Sequence, residues 1–252
     1  MTRYSISSWS LHGLLGGGMP LLDLPAQMAE HRIGTLELCH FHLPTTDDSY
    51  LAEFQAALSA ADIELYSLLI DMGDITSPEP AKRAEDLAGI KRNIEVAAAL
   101  GAPKVRVSAG QQAPTPEVVA LSAAGLADVA RFGKTVGVDV ITENWQLTSL
   151  KPGPLGEILD RCDGLVGLCA DTGNAEGPDK YGTLGALFPR ATSVHFKARY
   201  SDDGAVDAAD VERCFELSKS AGFSGPVSLI YGSTENEWAG VDRLKAALAP
   251  YI

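Results

Sequence analysis

The sequence predicts an α/β fold, a single (β/α)₈ TIM barrel occupying residues 1–252 as one domain. Short β-branched apolar runs alternate with amphipathic stretches, and the alternation repeats eight times. Strands that alternate with helices form parallel sheets through right-handed crossovers, and eight such units in about 250 residues favour a closed ring. The first strand–helix turn contains Gly16-Gly17-Gly18 and no GxGxxG, which argues against an open dinucleotide-binding sheet. No low-complexity stretch or interdomain linker interrupts the pattern.

In chain order, Tyr4 to Leu11 reads as the first strand, and the glycine run leads to a helix near Pro20 to Arg32. Gly34 to Phe41 is the second strand, with a helix from Asp48 to Ala61. Ile63 to Ile70 is the third, followed by a long helix from Pro80 to Leu100 that Gly101 stops. Pro103 to Ser108 is the fourth, with its helix over Pro116 to Val136. The fifth, Val138 to Trp145, carries Glu143 and precedes a helix at Leu155 to Arg161. The sixth, from Val166, ends at Asp171 and precedes a short helix over Thr183 to Phe188. The seventh, from Ala191, carries His195, and Ala208 to Ala221 is its helix, closed by Gly222. Pro226 to Tyr231 is the eighth, and Val241 to Leu248 completes the ring.

Composition narrows the function classes. With 20 Lys+Arg against 33 Asp+Glu the net charge is −13, so the chain lacks the basic surface that grips nucleic acid. Met1-Thr2-Arg3-Tyr4-Ser5 has no charged-then-apolar signal pattern, and no run approaches the roughly 18 apolar residues of a membrane span. Cys39, Cys162, Cys169 and Cys214 lie in strand- or helix-like segments without CxxC spacing, which suits reduced thiols in a cytoplasmic protein. The partners left open are a small molecule and a second copy of the chain.

Barrel active sites lie at the carboxyl ends of the strands. Glu143, Asp171 and His195 fall there on three consecutive strands, about one strand–helix unit apart. Adjacent strands are about 4.8 Å apart, so these side chains can converge on one ion. Two carboxylates favour Mg²⁺ or Mn²⁺, and the imidazole admits Zn²⁺, Fe²⁺ or Co²⁺. The alternative is that Asp171 caps a turn with Thr172-Gly173 and His195 is a core histidine. Lys197 shares strand parity with His195 and suits an acid, an electrostatic stabiliser or a substrate ligand. Arg106 sits between Val105 and Val107, where burial demands a carboxylate partner or a substrate. Glu37 has the opposite parity to His40 and His42 and is expected inward, as a substrate-binding residue. Trp9, Trp145 and Tyr231, at strand ends, either stack on a bound ring or close the top of the core.

At these residues the chain resembles the xylose isomerase-like superfamily of sugar phosphate isomerases and epimerases. The matching motifs are Thr142-Glu143-Asn144, Asp171-Thr172-Gly173-Asn174 and Val194-His195-Phe196-Lys197. Gly34-Thr35-Leu36-Glu37-Leu38 and Leu100-Gly101-Ala102 also fit, so the resemblance covers essentially the whole chain. It implies that Glu143, Asp171 and His195 bind a divalent cation (Mn, Mg, Zn or Co), and that Glu143 serves in proton transfer. Asn174 stands where relatives often carry a substrate-contacting His. A second Glu on strand eight, the usual fourth ligand and second proton-transfer group, is replaced by Ile230. Glu235 and Glu237 follow on the next loop as substitutes that would have to fold back. The implied activity is isomerisation or epimerisation of a sugar or keto-sugar through an enediolate-type intermediate. A lyase or dehydratase acting on a keto-sugar or keto-inositol needs only one base, and a third class is a non-catalytic sugar- or metal-binding barrel.

Overall fold

The computed structural model describes residues 3–200 and 204–252; Met1 and Thr2 of the amino-terminal segment lie outside them. The strands are β1 (Arg3–Ser7), β2 (Thr35–Cys39), β3 (Glu64–Ile70), β4 (Lys104–Val107), β5 (Asp139–Glu143), β6 (Val166–Asp171), β7 (Ala191–Phe196) and β8 (Pro226–Leu229). They pair in chain order, every neighbour parallel, and β8 closes on β1. The helices that follow them are α1 (Leu24–Glu30), α2 (Asp48–Ala60), α3 (Pro80–Ala99), α4 (Pro116–Thr135), α5 (Pro152–Arg161), α6 (Lys180–Leu187), α7 (Ala208–Ser220) and α8 (Glu237–Leu248). This is a (β/α)₈ TIM barrel. No helix among the described residues is long and apolar enough to cross a membrane.

Both faces of each strand are buried, but their chemistry differs. Ile6, Leu36, Leu68, Val105, Val140, Leu168, Val194 and Val227 belong to the apolar core shared with the helices. Alternate positions hold Ser5, Ser7, Glu37, Ser67, Arg106, Glu143, Asp171, Ser193, His195 and Ser228, all buried. Period-2 alternation sends this second set into the barrel, where it shares the interior with Leu69, Ile141, Cys39 and Cys169 and makes a largely polar column. A register shift between Leu36 and Glu37 keeps Glu37 opposite Ser67 and leaves Tyr66 as the extra residue of β3.

Several boundaries differ from the sequence reading by a few residues, and three of the shifts have a specific local cause. Ser7 Oγ accepts from the Trp9 amide at 3.2 Å, turning Ser8–Leu11 into a 3₁₀ turn, so β1 stops early and Trp9 sits at the rim. The last helix starts at Glu237 rather than Val241. Its buried carboxylate accepts from the amides of Gly13 (2.7 Å) and Leu14 (2.8 Å), which fixes that residue early. Helix α6 begins at Lys180 because its ammonium is buried against both oxygens of Asp210, each at 2.7 Å. Elsewhere the local signals hold. Thr115 caps α4 by accepting from Val118 N, and Asp207 caps α7 through Ala209 and Asp210. Gly101 and Gly222, at φ +74° each, end their helices in a conformation other residues resist.

Candidate metal centre and active-site cavity

A cavity opens at the carboxyl ends of the strands. Glu143, Asp171, His195, Lys197, Arg106, Asn174, Trp9 and Trp145 all line it, and so does Ile230. Strand register explains the convergence: Asp171 stands beside His195, and Glu143 beside Cys169, two residues before Asp171. The backbone is locked there too. Asn144 accepts from the Asp171 amide at 2.7 Å and donates to the Asp171 carbonyl at 3.0 Å, tying the ends of β5 and β6.

Each chemical group is held from two sides. Asp171 Oδ1 accepts from the amides of Gly173 (2.6 Å) and Asn174 (2.7 Å), leaving Oδ2 facing His195 Nδ1 at 3.9 Å. Glu143 Oε1 accepts from Asn174 Nδ2 at 3.0 Å. Its Oε2 lies 3.3 Å from Arg106 Nε and 3.5 Å from His195 Nδ1. His195 Nε2 donates to Glu37 Oε2 at 2.9 Å, and Ser67 donates to the other Glu37 oxygen at 3.0 Å. With Nε2 committed as a donor, Nδ1 faces two carboxylates, offering them a proton when the ring is charged and a lone pair when it is neutral.

Three lone-pair donors facing one another repel unless a cation or a proton lies between them. Burial, followed by the charge of Glu143, pushes the Asp171 carboxyl up to about 6. Burial also opposes ionisation of Glu143, but His195 and Arg106 outweigh it and hold that carboxyl below its usual range. At His195 burial disfavours the imidazolium, yet the carboxylates of Glu37 and Glu143 raise it well above the ordinary value. A site that shares a proton among acidic and imidazole donors fits a divalent cation, whose charge replaces that proton. Ligating atoms of Glu143, Cys169 and His195 also lie within 4.8 Å of one another. Asp171 fits the hard-donor set better than Cys169. Burial raises the Cys169 thiol and keeps it protonated, and Cys169 does not line the cavity, whereas Asp171 does.

Lys197 is exposed, and its stem crosses Gly173, where an added Cβ would lie 2.6 Å from Cδ. The same stem passes Gly232 beyond β8, whose added Cβ would lie 3.7 Å from Nζ. Arg106 is buried and pairs with Asp71 at 2.7 Å, with the Trp145 ring 4.8 Å from its guanidinium carbon. Trp9 is 42% exposed and stacks on His12. Glu37, expected to touch substrate, instead lies fully buried beneath His195 and does not line the cavity, because its carboxylate is taken up by His195 and Ser67. Asn174 is turned to Glu143 by the bond already described. Ile230 is one residue beyond β8, buried, in the cavity wall where a fourth ligand was expected. Neither loop carboxylate replaces that ligand: Glu237 caps the turn at Gly13 and Leu14, and Glu235 is exposed away from the cavity. Asp71 was missed, although it follows the apolar run of β3 just as Glu143 ends that of β5.

The four cysteines are buried free thiols. Among curated protein sequences none matches the chain. Solved structures do. An L-ribulose 3-epimerase superposes with a TM-score of 0.81 at 19% identity, covering 99% of this chain and 94% of that one. A D-allulose 3-epimerase from Methylomonas sp. gives 0.78 at 17%, covering 100% and 98%. A xylose isomerase-like TIM barrel protein from Mycobacterium smegmatis, in complex with magnesium, gives 0.72 at 15%, covering 98% and 95%. At such identities the likeness is one of fold. The family model for the xylose isomerase-like TIM barrel matches residues 25–248, and the chain belongs to that family.

Proposed function

We propose that the protein is a divalent-metal-dependent isomerase or epimerase of a sugar or keto-sugar. The observation that carries this reading is the meeting of Glu143 Oε2 and Asp171 Oδ2 around His195 Nδ1, at 3.5 and 3.9 Å, inside an open cavity. Structurally similar proteins that act as ketose 3-epimerases support the substrate class.

Glu143, Asp171 and His195 would hold Mn, Mg, Zn or Co. The bound cation would polarise a substrate carbonyl and acidify the neighbouring carbon-bound proton. Glu143 takes that proton, its carboxylate aimed by Asn174 and Arg106. Lys197, on the strand-eight side of the cavity, donates a proton to the developing oxyanion or stabilises its charge. Asn174, Arg106, Trp9 and Trp145 shape the sugar site around them. The buried thiols suit a reducing cytoplasmic setting.

Ile230 favours a second reading, a lyase or dehydratase, because an apolar wall faces the substrate where a second base would stand. Incubating Mn²⁺-loaded protein with free ketoses in D₂O tests both. Deuterium entering a ketose with a new epimer or aldose supports isomerase or epimerase chemistry. Loss of water from the sugar supports the lyase, and neither change with any sugar refutes catalysis of this kind.

A further inference from the structure

Arg106 is only 5% exposed, yet its guanidinium is incompletely engaged. Nη2 pairs with Asp71 Oδ1 and Nε faces Glu143 Oε2, while Nη1 has no hydrogen-bond partner. Asp71 Oδ1 is in ion-pair contact without hydrogen-bond alignment, and its side chain keeps 17% of its surface open. Both residues line the cavity. Trp145 covers a face of the guanidinium, which leaves hydrogen bonding to its N–H edge. His40 Nδ1 accepts from the Asp71 amide at 3.3 Å and tethers the backbone that carries the carboxylate.

A free donor beside an underused acceptor complements a hydroxyl, which accepts from one and donates to the other. The pair does not complement a phosphate or carboxylate. Asp71 would repel it, and the charge of Arg106 is already shared with two carboxylates. Asp71 and Arg106 stand at the ends of β3 and β4, separated by β5 from Asp171 and His195 on β6 and β7. Arg106 itself touches Glu143, so it is Asp71, with β4 between it and β5, that meets the part of the ligand away from the cation-binding carboxylates.

We infer that Asp71 and Arg106 form a specificity subsite that holds one distal hydroxyl of an uncharged ketose or polyol. The inference rests on the proposed function and adds which end of the sugar is read, and by what. Calorimetric titration of Mn²⁺-loaded protein with a panel of free ketopentoses and ketohexoses selects the tightest binder. Analogues of that sugar with single hydroxyls replaced by hydrogen are then titrated into wild type, Asp71→Asn and Asp71→Ala.

One distal deoxy analogue is expected to bind wild type about tenfold or more weakly than the parent. In both Asp71 variants the parent weakens and that penalty shrinks, the signature of a lost pairwise contact, while the Arg106 half of it remains. Deoxy penalties that persist unchanged in both variants overturn the inference and leave the proposed function standing. Tighter binding of the terminal phosphate ester than of the free sugar overturns it as well. Failure of every ketose to bind wild type overturns both.

Discussion

Glu37, on the second strand, accepts a hydrogen bond from Nε2 of His195, on the seventh, across the interior of the barrel at 2.9 Å. Neither residue has another route to this partner, since both are buried in the polar column. The bond sets the imidazole tautomer and turns Nδ1 toward Glu143 and Asp171. Replacing Glu37 by Gln keeps the shape and removes the charge. Affinity for Mn²⁺ should then fall about ten- to a hundredfold while the circular dichroism stays native. Unchanged affinity would mean that His195 is oriented by packing alone.

Ile230 gives the second test. An Ile230→Glu variant restores a carboxylate to the cavity wall beside the three proposed ligands. Metal binding should tighten, and epimerisation of a free ketose should appear or rise. Acid–base groups contribute about 10²–10⁴-fold, so a change is readily measured. Efficient two-sided epimerisation by the wild type would show that another residue, such as Lys197, already supplies the second proton.

Gly173 offers a third. Its φ is not in the left-handed region, so alanine fits the backbone there. The added methyl, however, would stand 2.8 Å from Lys197 Cβ and 3.0 Å from Cγ, atoms too near the main chain to swing aside. Gly173→Ala should therefore displace the ammonium and lower turnover as much as Lys197→Met does, with little loss of bound metal. Full activity in Gly173→Ala combined with loss in Lys197→Met would contradict this positioning.

A fourth prediction concerns pH. The Cys39 amide donates to Ser8 Oγ at 2.8 Å, so the Ser8 hydroxyl proton points to His42 Nδ1, also 2.8 Å away. Burial, then the neighbouring charges of His12 and His40, push His42 down to about 4 against the ordinary 6.5, with Asp71 opposing. As pH falls below about 6.5 the unfolded chain takes up a proton that the folded chain refuses, so stability declines toward pH 4. Denaturant unfolding between pH 7 and pH 4.5 should give a flatter profile for His42→Gln than for wild type. Parallel profiles would show that His42 titrates alike in both states.

Much of this was legible in the residues. Glu143 at the end of an apolar run marked the open face of the barrel, and strand parity put Glu37 inside. The interior was harder to read, because a strand buried on both faces shows one apolar run and hides that its inner side is lined by Ser5, Ser67, Ser193 and Ser228. Asp71 obeys the same strand-end rule as Glu143, but no motif singles it out, and only the fold brings Arg106 within 2.7 Å of it. The role of Glu237 depends on contact with Gly13 and Leu14, more than two hundred residues away in the chain. No local pattern carries that information.

The account turns on one cation held by Glu143, Asp171 and His195. Titration of chelator-treated protein with Mn²⁺, in buffers of different ionisation enthalpy, measures stoichiometry, affinity and proton release together. Wild type should bind one ion per chain and release a proton as the ion displaces the one shared near His195. Asp171→Ala should lose most of that affinity. An Asp171→Ala variant that binds Mn²⁺ as tightly as wild type, or a wild type that binds none, would contradict the account.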